Sequence, residues 1–143
     1  MKPLTITMHL NYAQWKKGEH YEAVTFTDDS NANQGRGLGH QFRSNVKLGE
    51  EIVWESTIDA VDTEDKPCVY LINVFRKPWD GGYRLLTEPW YNSADNGKTI
   101  VGKIRQYGIK DGEMESYCIS FLVMDNNTAT PFTIDPIIIG HPK

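Results

Sequence analysis

What constrains this chain most is the spacing of its apolar residues, which alternate with polar ones instead of recurring every three or four positions. Alternation is the signature of strands with one face buried. It runs through Thr5–Leu10, Glu22–Thr27, Gln41–Val46, Glu51–Ile58, Val69–Phe75, Tyr83–Leu86, Thr99–Tyr107, Glu115–Met124 and Phe132–Ile139, and so predicts about nine strands. Within "EIVWESTI" the phase sends Ile52, Trp54 and Ile58 inward. Within "SYCISFLVM" it sends Tyr117, Ile119, Phe121 and Val123 inward and leaves Cys118 and Ser120 on the other side.

Between the strands lies turn chemistry: Asp28 to Gly39, Leu48-Gly49, Asp62 to Pro67, Pro78 to Gly82, Asn92 to Gly97, Asp111-Gly112 and Asp125 to Pro131. The helical pattern is limited to "YAQWKKG" at Tyr12 to Gly18, a turn or two. These features predict an all-β fold: a single antiparallel β-sandwich, Ig-like or cupredoxin-like in outline, with residues 1–143 forming one domain. The 39% apolar content is enough for a core without obligatory staples.

Charge narrows the function. A net charge of −4 disfavours nucleic acid, whose nonspecific binding depends on clustered Lys and Arg. No run approaches membrane-spanning length, and Thr5, Thr7, His9 and Asn11 interrupt any leader-like apolar stretch, so a cytoplasmic (cytosolic) location is expected. Cys68 and Cys118 sit in strand-like runs outside any zinc pattern, and a cytosolic address favours two buried thiols, acting as small apolar side chains, over a disulfide.

No cofactor is expected. "GRGLG" at Gly35 to Gly39 lacks the helix that a phosphate cradle needs. Asp29, Asn31 and Asn33 have the spacing of a calcium loop, but Gln34 and His40 stand where that loop needs Gly and a bidentate Glu, leaving at most a weak cation site. Cys118 and Met124 have no His between them, against a copper centre. No catalytic motif occurs, and the carboxylate pairs Glu50-Glu51 and Asp28-Asp29 read as surface charge.

The candidate binding residues are in "RKPWDGGYRLLTEPWYN": Arg76, Trp79, Asp80, Tyr83, Arg84, Trp90 and Tyr91. Flat aromatic faces beside orienting polar groups suit a glycan or protein ligand. The competing reading makes one of these tryptophans a satellite of the core.

The pattern Tyr117-x-Ile119-x-Phe121, followed by Phe132-x-Ile134-Asp135-Pro136-Ile137, resembles the AidA/PixA inclusion-body protein family. The resemblance covers about 25 residues and implies a small β-sandwich without established enzyme activity; no binding residues carry over. Physical reasoning on the same residues makes Asp135-Pro136 a bend at an edge or bulge, because proline has no N–H for a ladder, with the Asp135 carboxylate accepting from backbone amides. The expected function is noncatalytic binding or self-assembly into a homo-oligomer, with a carbohydrate-binding module as the alternative and a small hydrolase-like enzyme behind both.

Overall fold

The computed structural model describes residues 2–30, 37–62, 64, 66–77 and 84–142. The chain is all-β. Its strands are β1 (Leu4–Asn11), β2 (Val24–Asp28), β3 (Gly37–Leu38), β4 (Arg43–Lys47), β5 (Glu51–Asp59), β6 (Cys68–Arg76), β7 (Trp90–Ala94), β8 (Thr99–Lys103), β9 (Met114–Asp125), β10 (Thr128–Ile134) and β11 (Ile137–His141). They follow one path, β3-β2-β1-β5-β8-β7-β6-β9-β11-β4, with β10 also on β9, and make a nearly closed, barrel-like sheet. β7 joins the two halves, pairing with β6 through Trp90 to Asn92 and with β8 through Ser93 and Ala94.

The expectation of purely antiparallel pairing is corrected. β1 runs parallel to β5 along its whole length, and β11 runs parallel to β4. Alternation reports which face is buried and not which way the neighbour runs, so the two parallel pairs leave no mark in the pattern.

The strand phases hold. Ile52, Trp54, Tyr117, Ile119, Phe121 and Val123 all lie in the core, with Ile58 partly buried against it. Trp54 donates from Nε1 to the Tyr117 hydroxyl at 3.0 Å, across the interior. Burial pushes the Tyr117 pKa up, the charge of Asp28 adds to this, and the Trp54 hydrogen bond opposes it, so the hydroxyl stays protonated. Where the ladder does not close, between β2 and β4, side chains bridge instead: the buried Ser44 donates to Asp28 Oδ2 at 2.8 Å.

The ends of the barrel are closed differently. At one end α1 (Tyr12–Lys16), capped by Asn11 accepting from the Gln14 amide, and the single turn α2 (His20–Ala23) bring Trp15 onto His20 in a 3.8 Å stack. Trp15 meets the Phe132 ring edge-on at 5.5 Å, which seats the helical segment on β9 and β10. The other end, near the start of β9, is closed by residues 84–86.

β10 and β11 are one interrupted strand. Ile134 stands opposite Ile119 and Ile137 opposite Ser116, so the register passes through Asp135-Pro136 without a slip. Pro136 is therefore not at an edge. It is buried within the ladder, accepting from the Tyr117 amide at 3.1 Å and unable to return a bond. Asp135 accepts from Lys77 Nζ at 2.6 Å, not from backbone amides as expected. Pro131 is the proline that suits an edge: it falls at the alternate parity, its nitrogen turned away from β9.

Asp135→Asn should cost under about 1 kcal/mol in thermal melts, because the Lys77 pair is partly solvated and the amide keeps the shape. A loss of twice that would show that the pair, not the backbone bend, holds this junction.

Candidate functional site

β6 brings Arg76 to the inner face opposite Tyr117, because a bulge between Leu71 and Asn73 resets its phase. β9 places Glu115 on that face one turn of the pleat nearer its start, buried at 4% exposure. A carboxylate there needs partners. Its Oε1 accepts from the amides of Leu85 and Leu86 at 2.6 and 2.9 Å. Its Oε2 faces Arg76 Nε at 3.2 Å, out of line for a hydrogen bond, so this contact is an ion pair. Burial raises the Glu115 pKa from its ordinary 4.5; the two amides and the guanidinium pull against that rise without cancelling it.

Two guanidiniums bracket segment 84–86. Arg76 Nη2 donates to the Leu86 carbonyl and Arg105 Nη1 donates to the Arg84 carbonyl at 3.2 Å. Backbone bonds fix the same segment to the end of β8, from Arg105 N to Leu85 O at 2.8 Å and from Thr87 N to Lys103 O at 3.0 Å. Outside it opens a cleft of about 480 Å³ lined by Arg76, Arg84, Leu86, Thr87, Arg105, Gln106 and Tyr107. Three of the chain's five arginines are on its wall, and among the described residues no carboxylate is.

The residues singled out in the sequence divide. Arg76 and Arg84 line this cleft. Trp90 stands apart, 60% exposed, beside Phe75 on the outer face. Tyr91 is turned the other way and packs against the core. Its hydroxyl accepts from the Glu88 amide at 3.0 Å and donates to the Lys103 carbonyl at 3.2 Å, anchoring the turn after residue 86. Trp79, Asp80 and Tyr83 lie outside the described residues, as do Asn31 and Asn33 of the calcium-like spacing. Asp29 Oδ1 accepts from the Thr5 amide at 2.8 Å, which ties the end of β2 to β1.

Arg105, Gln106 and Tyr107 were not singled out in the sequence. They sit after a strand that pairs far from β6 in sequence, and only the fold brings them beside Arg76. Neither cysteine is in a disulfide; Cys118 is buried, but Cys68 is exposed, which corrects the expectation of two buried thiols. Among the described residues, no group of three or more His, Cys, Asp or Glu side chains could hold a metal ion, and no helix is long and apolar enough to cross a membrane.

No family model matches this chain, and no curated protein matches it. Among solved structures it is similar to a family 123 glycoside hydrolase from Clostridium perfringens, reported in a study of glycolipid glycan hydrolysis. The identity is 12% and the TM-score 0.35, over 99% of this chain and 28% of that one. The chain thus spans little more than a quarter of that hydrolase, and a likeness so loose says nothing about activity.

Proposed function

We propose that this chain is a noncatalytic cytosolic protein, a single β-sandwich in its architecture, that associates with itself through one outer face. The observation that carries this is an asymmetry between the two halves. The outer side of β1, β2 and β5 presents Thr5, Thr7, His9, Thr25, Thr27, Glu55 and Thr57 with Val53 as its apolar member, cross-linked by bonds such as His9 to Thr27 at 2.8 Å and His9 to Thr57 at 3.0 Å. The outer side of β6, β7 and β9 presents Tyr70, Ile72, Trp90, Met114 and Met124, all large, apolar and more than a third exposed.

Exposed large apolar side chains gathered on one side of a sheet mark an interaction surface, here with the polar Asn73, Asn92 and Ser120 between them. Three strands about 4.8 Å apart, over ten residues at about 3.4 Å, offer roughly 500 Å², on the scale of one side of a weak, reversible interface. Lys77 and Asp135 pair with each other at 2.6 Å and so add no net charge to this face. The resemblance of the C-terminal segment to the AidA/PixA inclusion-body proteins supports the same reading.

Light scattering over a wide concentration range should show a reversible rise in mass. Ile72→Lys combined with Met124→Lys should abolish it and leave the melting midpoint nearly unchanged. A protein that stays monomeric throughout, or an assembly that survives both substitutions, overturns the proposal. The exposed ring of Trp90 favours a second reading, a carbohydrate-binding surface. A glycan array bound by the native protein and lost in Trp90→Ala would support it.

A further inference from the structure

We infer that the arginine-lined cleft is a binding site for a small oxyanion, a carboxylate or a phosphate, carried on a ring that lies against Tyr107. The inference is independent of the self-association face, because the cleft opens beside segment 84–86 and shares none of the five exposed apolar residues.

On a protein of net charge −4, three of five arginines gather on one wall, and a basic concavity within an acidic surface concentrates anions. Arg76 is matched by Glu115 behind it. Among the described residues, no carboxylate forms an ion pair with Arg84 or Arg105, so the cleft keeps an excess of positive charge.

A guanidinium binds carboxylate or phosphate best when its fork is already held, since less freedom is lost on binding. Arg105 is held by its bond to the Arg84 carbonyl, and Arg76 by Glu115 and the Leu86 carbonyl. The backbone between them is pinned by both amides on Glu115.

A volume of about 480 Å³ falls within the range for small-molecule sites, and Thr87 and Gln106 add neutral hydrogen-bonding groups. Tyr107 is 79% exposed at the rim, and a large aromatic ring left in solvent provides a face for a sugar or another flat ring.

Thermal shift and calorimetry at fixed ionic strength test this with glucose 6-phosphate, glucuronate, inorganic phosphate and, as the neutral control, glucose. The expected result is a saturable rise in melting midpoint with glucose 6-phosphate, glucuronate or both, and none with glucose; which of the two acts identifies the anion. Arg84→Gln combined with Arg105→Gln should weaken that binding at least tenfold, and Tyr107→Ala should weaken the ring-borne anion severalfold without changing inorganic phosphate. Both arginines are exposed, so the double variant should fold. No saturable response to either charged sugar, or a response that survives the double arginine substitution, overturns the inference. Inorganic phosphate binding as tightly as the sugar phosphate overturns the role of Tyr107.

Discussion

Replacing Trp54 by alanine should cost about 3–5 kcal/mol, a large part of the roughly 5–15 kcal/mol that holds a typical domain folded. The indole is fully buried and sits between the two halves of the barrel, with Tyr117 at 5.5 Å and Tyr91 at 6.4 Å between ring centroids. Its removal leaves a cavity and also strips the Tyr117 hydroxyl of its donor, so two penalties fall on one site. The neighbouring strand has no slack: a Cβ added at Gly102 of β8 would stand 2.7 Å from Trp54 Cζ3. Gly102→Ala should therefore also destabilise, by about 1–3 kcal/mol, through overpacking. Urea unfolding of the two variants checks both, and a loss below about 1 kcal/mol for Trp54→Ala would contradict the burial argument.

The second large effect is at Glu115. Glu115→Ala leaves two buried amides without an acceptor and Arg76 without its counter-ion, and should cost about 3–5 kcal/mol. Glu115→Gln keeps a carbonyl for the amides and should cost less. The charge can be isolated by pH. Because burial raises the folded-state pKa, the folded protein holds a proton that the unfolded chain has released, so this group's contribution is full below its ordinary 4.5 and is lost as pH rises through the raised value. The stability of the native protein relative to Glu115→Gln should accordingly shrink with rising pH across that window. A gap that grows instead would show that Arg76 outweighs burial. Urea titrations of both proteins at matched pH give the answer.

How much of this was legible in the sequence depends on what each signal encodes. Faces were legible: the two-residue period of β5 and β9 put Trp54, Tyr117 and Phe121 inside. Ends and partners were less so. β7 overlaps the span Asn92 to Gly97, whose Asn92, Asp95, Asn96 and Gly97 read as a turn, yet of these only Asp95, Asn96 and Gly97 take positive φ and the strand runs through Ala94. β10 begins at Thr128, since Asn126 and Asn127 alone, both at positive φ, make the two-residue hairpin turn within the predicted loop Asp125 to Pro131. Tyr83–Leu86 is not a strand in its described part; Leu86 makes a lone bridge to Ile104 and the segment is held by side chains.

The cleft shows the same limit from the side of function. Arg76 and Arg84 were visible as polar neighbours of aromatic residues, but Arg105 and Tyr107 lie at the end of a stretch read as one strand, Thr99–Tyr107. Pairing ends that strand at Lys103 and lets the following residues turn toward β6. A buried acid such as Glu115 was likewise invisible, because its partners are two backbone amides and an arginine, none of which forms a motif with it.

The position of β11 has a consequence for the order of assembly. β4 stands at one end of the ladder with β11 as its neighbour there, and β11 is the last strand in sequence. On a growing chain β4 must wait through more than half of the strands before its partner arrives. Closing so long a loop costs entropy before any contact repays it, which slows folding. Until β11 slides between β9 and β4, both present unpaired edges, so a nascent or briefly opened chain exposes strand-pairing surface that the finished protein conceals.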